Sequence, residues 1–107
     1  MDGVKISPQK IIPNPKGNIM HALKAEDPEY VGFGEAYFSN INKNEIKGWK
    51  KHNIMTLNIL VPVGEVEFVI FNGIEFFCIK LSTKNYNRLT IKPKLWVAFR
   101  GIDELNM

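Results

Sequence analysis

Residues 65–81 of the chain read EVEFVIFNGIEFFCIKL, and this stretch decides the fold class. A near-continuous apolar run, Val66–Phe71, is followed by Asn72-Gly73 and then by a second strand candidate, Glu75–Leu81. Asn-Gly favours the type I′ turn of a β-hairpin, because both central residues of that turn need a positive φ. The pattern predicts two antiparallel strands joined by a two-residue turn.

Short strand candidates continue on both sides of this hairpin, separated by turn-forming residues. They recur at intervals of about 8–12 residues with no long helical period, which is typical of a β-sandwich or barrel. The sequence therefore predicts an all-β fold. The further candidates are Ile46–His52, Met55–Val63, Arg88–Ile91 and Leu95–Arg100.

The first third of the chain is less regular, because four of the six prolines lie in it. We predict an irregular lead-in over residues 1–16 and a short strand within Asn18–Leu23. Beyond it, Glu35, Tyr37 and Ser39 alternate with apolar residues. A period of two predicts a strand with these polar side chains on one face.

The chain has 107 residues, of which 45% are hydrophobic and 23% charged, a composition that argues against disorder. This length predicts one domain over residues 1–107. The single cysteine, Cys78, excludes an internal disulfide framework and is expected to be a small buried hydrophobe. Without an apolar leader or a run of about 18 apolar residues, we expect a cytoplasmic protein with no membrane partner.

The net charge of +3 is mild, and the basic residues are dispersed apart from Lys47, Lys50 and Lys51. Nucleic-acid binders carry denser patches, so we expect no nucleic-acid partner. A few local lysines suit a small anionic ligand better. His21 and His52 are the only histidines and form no His-x-His pair, so we expect neither a metal nor another cofactor.

Two segments resemble the dTDP-4-dehydrorhamnose 3,5-epimerase family. They are GFGEAYFSNINKNEIKGWKKHNIMTLNILVPVGEVEFVIFN and LSTKNYNRLTIKPKLWVAF, with Lys47-Gly48 at the family's Arg-Gly and Gly64-Glu65-Val66 after the long strand. The resemblance covers roughly residues 17–107. It implies a cupin-like jelly roll, short at its C-terminus relative to the family, that acts on a nucleotide-linked deoxysugar.

The resemblance also implies roles for individual residues. Lys47 matches an arginine that holds the sugar or its phosphate, while Glu35, Tyr37 and Ser39 would line the pocket. Lys50 stands at the position of the family's catalytic histidine, and His52 follows two residues later. Period two puts Lys50 and His52 on one face, where either side chain could serve as a general base.

Other family positions are changed. The active-site lysine before the long strand falls on Leu57, a histidine near the final strand falls on Val97, and no tyrosine matches the acid–base tyrosine beyond that strand. Two functions therefore stay open. The first is a nucleotide-sugar epimerase-like enzyme in deoxysugar and surface-polysaccharide (lipopolysaccharide) synthesis. The alternative is a non-catalytic cupin relative that binds a nucleotide sugar or a partner subunit.

Large apolar residues point to self-association. The strands Ile59–Val63 and Val66–Phe71 carry more apolar surface than a short sandwich can cover, so we predict a homodimer. Trp49 and Trp96 lie on predicted strands as well. Packing in the core or at an interface is the favoured role for both, with stacking on a base or sugar ring as the alternative.

Overall fold

The computed structural model describes all 107 residues and consists of β-strands joined by turns and loops, which confirms the all-β prediction. None of its elements is a helix long and apolar enough to cross a membrane. In chain order the strands are β1 (Val4–Pro8), β2 (Ile11–Ile12), β3 (Ile19–Met20), β4 (Ile46–Lys51), β5 (Leu57–Ile59), β6 (Glu65–Phe71), β7 (Phe76–Ser82), β8 (Asn87–Ile91) and β9 (Trp96–Gly101).

Two antiparallel sheets face each other in the manner of a jelly roll. The three-stranded sheet has the order β1-β8-β5, and the four-stranded sheet has the order β4-β9-β6-β7. A small β2-β3 hairpin stands beside them. Because side chains alternate along a strand, each sheet has an inner face toward the core and an outer face away from it.

The core lies between the inner faces. Val66, Phe68 and Ile70 of β6 point into it, and Leu89 and Ile91 of β8 meet them from the other sheet. Each fully buried side chain of this kind contributes about 1.5–3 kcal/mol by leaving water. Burial in β6 alternates residue by residue, which is why its period-two pattern is so clear in the sequence.

The central hairpin forms as predicted, but its turn differs. β6 and β7 pair from Glu65↔Ser82 to Phe71↔Phe76, so the loop holds residues 72–75. Gly73 has a φ of +96°, whereas Asn72 does not have a positive φ. The side-chain oxygen of Asn72 instead accepts hydrogen bonds from the backbone N–H groups of Ile74 and Glu75, both at 2.8 Å. The prediction of a two-residue type I′ turn was wrong, because hydrogen bonds to the Asn72 side chain stabilise a four-residue loop. Cys78, expected to be buried, is exposed, because it lies on the outer side of β7.

The N-terminal prediction was also wrong in part. Residues 1–16 were expected to be irregular, yet Val4–Pro8 forms β1 and Ile11–Ile12 forms β2. β1 pairs with β8 from Val4↔Ile91 to Pro8↔Asn87. Only two apolar residues alternate in β1, and its partner strand lies about eighty residues away along the chain. The local sequence pattern therefore gives little indication that residues 4–8 form a strand.

The segment that holds Glu35, Tyr37 and Ser39 is not a strand. Residues 31–40 have no regular secondary structure and are all exposed. A strand needs a neighbour for its backbone hydrogen bonds, and the only ladder contact nearby is a single bridge between Lys43 and Gly101. The predicted strand is therefore wrong, although the alternation of its side chains is real.

Candidate functional site

Strand β4 carries most of the predicted site residues and forms one edge of the four-stranded sheet. Its pairing with β9 runs Lys47↔Phe99 and Lys50↔Val97, with an irregularity between them. Val97 and Phe99 both pack in the core. Residues 47 and 50 are three positions apart, so they would lie on opposite faces of a regular strand. The bulge adds one extra residue to β4 between them, and their side chains therefore lie on the same face. Lys47 and Lys50 therefore both stand on the inner side of the sheet.

Gly48 makes this bulge sterically possible. Its φ is +137°, and a Cβ at this position would lie 2.7 Å from the Cα of Ala98 on the neighbouring strand. The two backbones approach so closely that only glycine fits without movement. The Lys47-Gly48 motif therefore has a geometric basis, because the glycine permits the bulge that aligns Lys47 with Lys50.

Lys47 is anchored to the end of the exposed segment. Its Nζ donates a hydrogen bond to the carbonyl oxygen of Asn40 at 2.7 Å and contacts the hydroxyl of Ser39 at 3.5 Å. An ammonium group has three donors, so capacity remains for a further acceptor. Of the three predicted pocket residues, the structure brings Ser39 to this lysine. Glu35 and Tyr37 stay in solvent, with Tyr37 72% exposed.

Lys50 and His52 lie at the far end of the same strand. Lys50 is exposed, and none of the ion pairs in the structure includes it. His52 follows the last residue of β4 and is half-buried, and its carbonyl accepts a hydrogen bond from the backbone N–H of Lys94 at 2.6 Å. Lys51 points the other way, with its Nζ 5.2 Å from the ring centroid of Trp96. The three-lysine cluster is thus divided between two faces.

A second charged cluster, missed in the sequence, covers the outer face of the three-stranded sheet. The side chain of Arg88 on β8 is only 2% exposed. Its guanidinium donates to Glu29 at 2.6 Å, to Asp27 at 3.2 Å and to the carbonyl of Ala22 at 2.8 Å. Lys5 of β1 pairs with the other oxygen of Glu29. These bonds hold residues 22–29 against the sheet.

Both carboxylates in this cluster titrate below their ordinary values. The hydrogen bond from Lys5 lowers the pKa of Glu29, with Arg88 acting in the same direction against the opposing effect of desolvation. A hydrogen bond from the backbone N–H of Lys24 lowers the pKa of Asp27, and Arg88 adds to it against desolvation. We call this cluster of Arg88, Lys5, Asp27 and Glu29 the clasp, because it fastens residues 22–29 to the sheet. In the sequence, Arg88 lies about sixty residues from its acidic partners and gives no local signal.

Two surface cavities lie away from β4. One of about 370 Å³ opens on the outer side of the three-stranded sheet, between Lys5, Glu29, Val31, Thr90 and Lys92. None of the predicted site residues lines it. No group of three or more His, Cys, Asp or Glu side chains is placed to hold a metal ion. The candidate site is therefore an open cationic edge, made by β4 and the end of the exposed segment.

Solved structures resemble the chain closely, whereas no family model and no curated protein matches it. A dTDP sugar isomerase from Desulfovibrio desulfuricans G20 shares 31% sequence identity over 98% of this chain and 73% of its own, with a TM-score of 0.94. A sugar 3,4-ketoisomerase from Thermoanaerobacterium thermosaccharolyticum in complex with TDP shares 18% identity over 99% of this chain and 77% of its own, with a TM-score of 0.86.

A dTDP-6-deoxy-D-glucose-3,5-epimerase from Legionella pneumophila Philadelphia 1, in complex with dTDP-4-keto-L-rhamnose, also shares the fold. It has 21% identity over 99% of this chain and 64% of its own, with a TM-score of 0.82. The fold and the matches define a class, the cupin-type nucleotide-sugar epimerases and isomerases. Within that class the chain belongs to the family of the dTDP sugar isomerase with which it shares 31% identity, and the dTDP-4-dehydrorhamnose 3,5-epimerases are structural neighbours with the same fold.

Proposed function

We propose that the protein binds a dTDP-linked deoxysugar along the inner edge of β4. The observation that carries this proposal is the bulge that turns both Lys47 and Lys50 to the inner side. Two ammonium groups on one face attract a diphosphate, whereas an uncharged sugar gains nothing from them. The dTDP-sugar isomerase at 31% identity supports the same ligand class.

The chemistry proposed for this site is removal of a proton beside the ketone of the sugar. His52 is the first candidate base, because a neutral imidazole can accept a proton near neutral pH, and Lys50 is the second, although it can act as a base only after its ammonium group has lost a proton. Epimerisation also needs an acid on the opposite face of the sugar. Of the three tyrosines, Tyr86 donates a hydrogen bond from its hydroxyl to the carbonyl oxygen of His21, and Tyr37 is in solvent, so neither of these two is poised beside β4.

Proton exchange is therefore expected to be slow and to stop at one carbon. The measurement is deuterium incorporation into a dTDP-4-keto-6-deoxysugar in heavy water, followed by NMR. Incorporation at both carbons beside the ketone, at rates typical of enzymes, would contradict the prediction that the catalytic site is impaired. Binding without any exchange would favour the non-catalytic relative, an alternative supported by a lysine standing where the family has its catalytic histidine.

Ligand binding is tested with a pair of lysine variants on one strand. Lys47→Ala is expected to weaken binding of the dTDP-sugar by about 1–3 kcal/mol, the range for a charged hydrogen bond left unmade. Lys51→Ala removes the same charge from the outward side and should change affinity less than about two-fold, since exposed charges contribute little. Affinity should also fall as salt rises, because part of it is charge attraction.

Calorimetric titration measures both variants under identical conditions. Equal losses for Lys47→Ala and Lys51→Ala would mean that general charge, and not the inner edge, governs binding. A titration of the unmodified protein that gives neither heat nor chemical-shift change would show that the protein does not bind the dTDP-sugar.

The proposed functional unit is a homodimer. Large aromatic side chains remain exposed in the single chain, among them Trp49 at 49% and Phe76 at 62%. Sedimentation should give twice the chain mass of 12.3 kDa at micromolar concentration. A stable monomer would contradict it. The roles in surface-polysaccharide synthesis and the cytoplasmic location stay predictions that rest on the resemblance and the composition.

A further inference from the structure

The side chain of Asn106 is buried and makes all four hydrogen bonds that an amide group can make. The residue is 1% exposed. Its Oδ1 accepts hydrogen bonds from the backbone N–H groups of Glu65 at 3.0 Å and Asp103 at 3.1 Å. Its Nδ2 donates to the carbonyl oxygens of Ile41 at 3.0 Å and Asp103 at 2.7 Å. Both lone pairs and both N–H bonds are thereby used, so the amide specifies the position of each backbone group that it contacts.

Two glycines leave the space that this amide occupies. A Cβ added at Gly64 would collide with the Oδ1 of Asn106 and with the carbonyl oxygen of Leu105. A Cβ added at Gly101 would lie 2.8 Å from the Nδ2 of Asn106. The backbones around Asn106 approach so closely that a larger residue at either position would displace it.

Asn106 holds Ile41, the residue that follows the exposed segment 31–40. The backbone N–H of Ile41 donates to the backbone carbonyl of Asn106 at 3.2 Å, and its carbonyl accepts the hydrogen bond from Nδ2. Ile41 is 4% exposed. By contrast, residues 31–40 are all exposed, and none of their backbone groups bonds to another backbone group. Asn106 therefore anchors the end of this segment through both polar groups of one residue.

The anchored residue shares a peptide group with the acceptor of Lys47. The carbonyl of Asn40 and the N–H of Ile41 belong to one planar trans peptide, so they point in opposite directions. The N–H is directed to Asn106, and the carbonyl oxygen accepts from the Nζ of Lys47 at 2.7 Å. Fixing one side of this peptide fixes the other, and with it the position of the ammonium group.

We propose that Asn106 is a positioning residue for the dTDP-sugar site, because it holds the peptide between Asn40 and Ile41 and thereby the acceptor that places the Lys47 ammonium group. The proposal rests on the proposed function, in which Lys47 attracts the diphosphate. Asn106 does not contact the ligand. A lysine side chain has a flexible four-carbon stem and loses rotamer freedom on binding, so an ammonium group that is already held binds at a lower entropic cost.

The variant that isolates this role is Asn106→Asp. It keeps the shape of the side chain and its acceptor oxygen, and it loses both N–H donors, including the one to Ile41. Calorimetric titration with dTDP at pH 8, where an ordinary carboxyl group is ionised, should show binding weakened by about ten-fold, a coupling typical of one hydrogen-bond network.

Asn58→Asp is the matched control. It makes the same chemical change on the other sheet, where the Nδ2 of Asn58 donates to the carbonyl of Glu29 at 3.1 Å. The affinity for dTDP should then change by less than about two-fold, since a partly exposed charge contributes little. A loss in Asn58→Asp as large as that in Asn106→Asp would overturn the proposal.

A double-mutant cycle separates positioning from the other effects of a new carboxylate. If Asn106 acts through Lys47, Asn106→Asp should weaken dTDP binding by less than about two-fold when Lys47→Ala is already present. Repulsion between the carboxylate and the diphosphate, or a general loss of structure, would weaken binding equally in both backgrounds. Equal losses would therefore overturn the positioning role.

Amide hydrogen exchange tests the anchor without any ligand. In the unmodified protein the amide of Ile41 should be protected, while the amides of residues 31–40 exchange freely. Asn106→Asp should speed exchange at Ile41 and leave Glu65 protected, because the remaining oxygen still accepts from Glu65. If the variant fails to fold, the unmodified protein still decides, since exchange at Ile41 as fast as in residues 31–40 would overturn the proposal.

Failure of the proposed function gives a different result. An unmodified protein that does not bind dTDP would contradict the proposed function, and the position of Lys47 is then read by NMR. The Cε signal of Lys47 should move in Asn106→Asp, and that of Lys51, which lies over Trp96, should not. An unmoved Lys47 signal would overturn the positioning role whether or not dTDP binds.

Discussion

The outer faces of the two sheets differ in whether the chain itself covers them. The three-stranded sheet is covered by its own chain, because Arg88 and Lys5 clasp residues 22–29 through Asp27 and Glu29. The four-stranded sheet is left uncovered, with Trp49, Trp96 and Phe76 exposed. The charged face is covered by the chain itself, while the aromatic face stays exposed to solvent in the single chain.

Physical chemistry explains this division. A buried guanidinium must be paired, since an uncompensated charge in the interior costs several kcal/mol. The covering loop therefore has to be part of the same chain and present whenever the sheet forms. Exposed aromatic surface reduces solubility, yet it does not prevent folding. A 107-residue chain can therefore fold with that face exposed.

The largest expected effect distinguishes the two faces through two arginines. Arg88→Ala should destabilise the protein by about 3–5 kcal/mol, because it removes one partner of a buried ion cluster. Arg100→Ala, which breaks the pair with Glu67 on the other sheet, should cost at most about 1 kcal/mol, since that pair is partly exposed. Denaturant unfolding of both variants measures the difference. Similar losses would mean that the clasp is no stronger than a surface pair.

A smaller effect is expected at the bulge of β4. Gly48→Ala should cost about 1–3 kcal/mol through backbone strain, with more from the collision with Ala98. Gly73→Ala is the matched control, because Gly73 also has a positive φ, +96°, but no atom within 4 Å of the added Cβ. The excess loss in Gly48→Ala measures the close approach of the strands. Equal losses would show that φ alone explains the glycine.

The same substitution also tests the orientation of the site. If the bulge aligns Lys47 with Lys50, Gly48→Ala should weaken dTDP-sugar binding even in the fraction that stays folded. Titration below the unfolding midpoint makes this measurement, and Gly73→Ala should bind as the unmodified protein does. Unchanged binding by folded Gly48→Ala would show that ligand binding does not depend on the bulge.

The smallest expected effect is a pH dependence confined to the covered face. Glu29 and Asp27 have lowered pKa values in the folded state, so their contribution to stability is complete above their ordinary values of 4.5 and 3.8. It is lost as the pH falls below 4.5 through the lower folded values. The melting temperature should therefore fall over this window.

Arg88→Ala should reduce this acid dependence without abolishing it, because Lys5 and the backbone N–H of Lys24 still lower the pKa values of Glu29 and Asp27, and Arg100→Ala should retain it in full. Melting temperatures measured by circular dichroism from pH 6 to pH 3 make the comparison. An acid dependence that persists unchanged in Arg88→Ala would assign it to other carboxylates.

The sequence alone determined the features that depend on neighbouring residues. Alternating apolar residues located β6 and β7, and β4 and β9 follow the predicted segments within a residue or two. The motif around Lys47-Gly48 and Gly64-Glu65-Val66 indicated the family, which the structural matches confirm. These signals are local, since a strand that buries one face must alternate whatever its partner is.

Only the tertiary structure decided the features that depend on which strands meet. Period two grouped Lys50 with His52, which stays a prediction because β4 ends at Lys51. The bulge that places Lys47 on the same side as Lys50 arises from the contact of β4 with β9. The clasp of Arg88 and the pairing of β1 with β8 join residues some sixty to eighty positions apart. Residues 31–40 alternate like a strand and yet pair with no strand of the chain. Pairing of distant segments is set by packing and loop closure over the whole chain, so no local pattern encodes it.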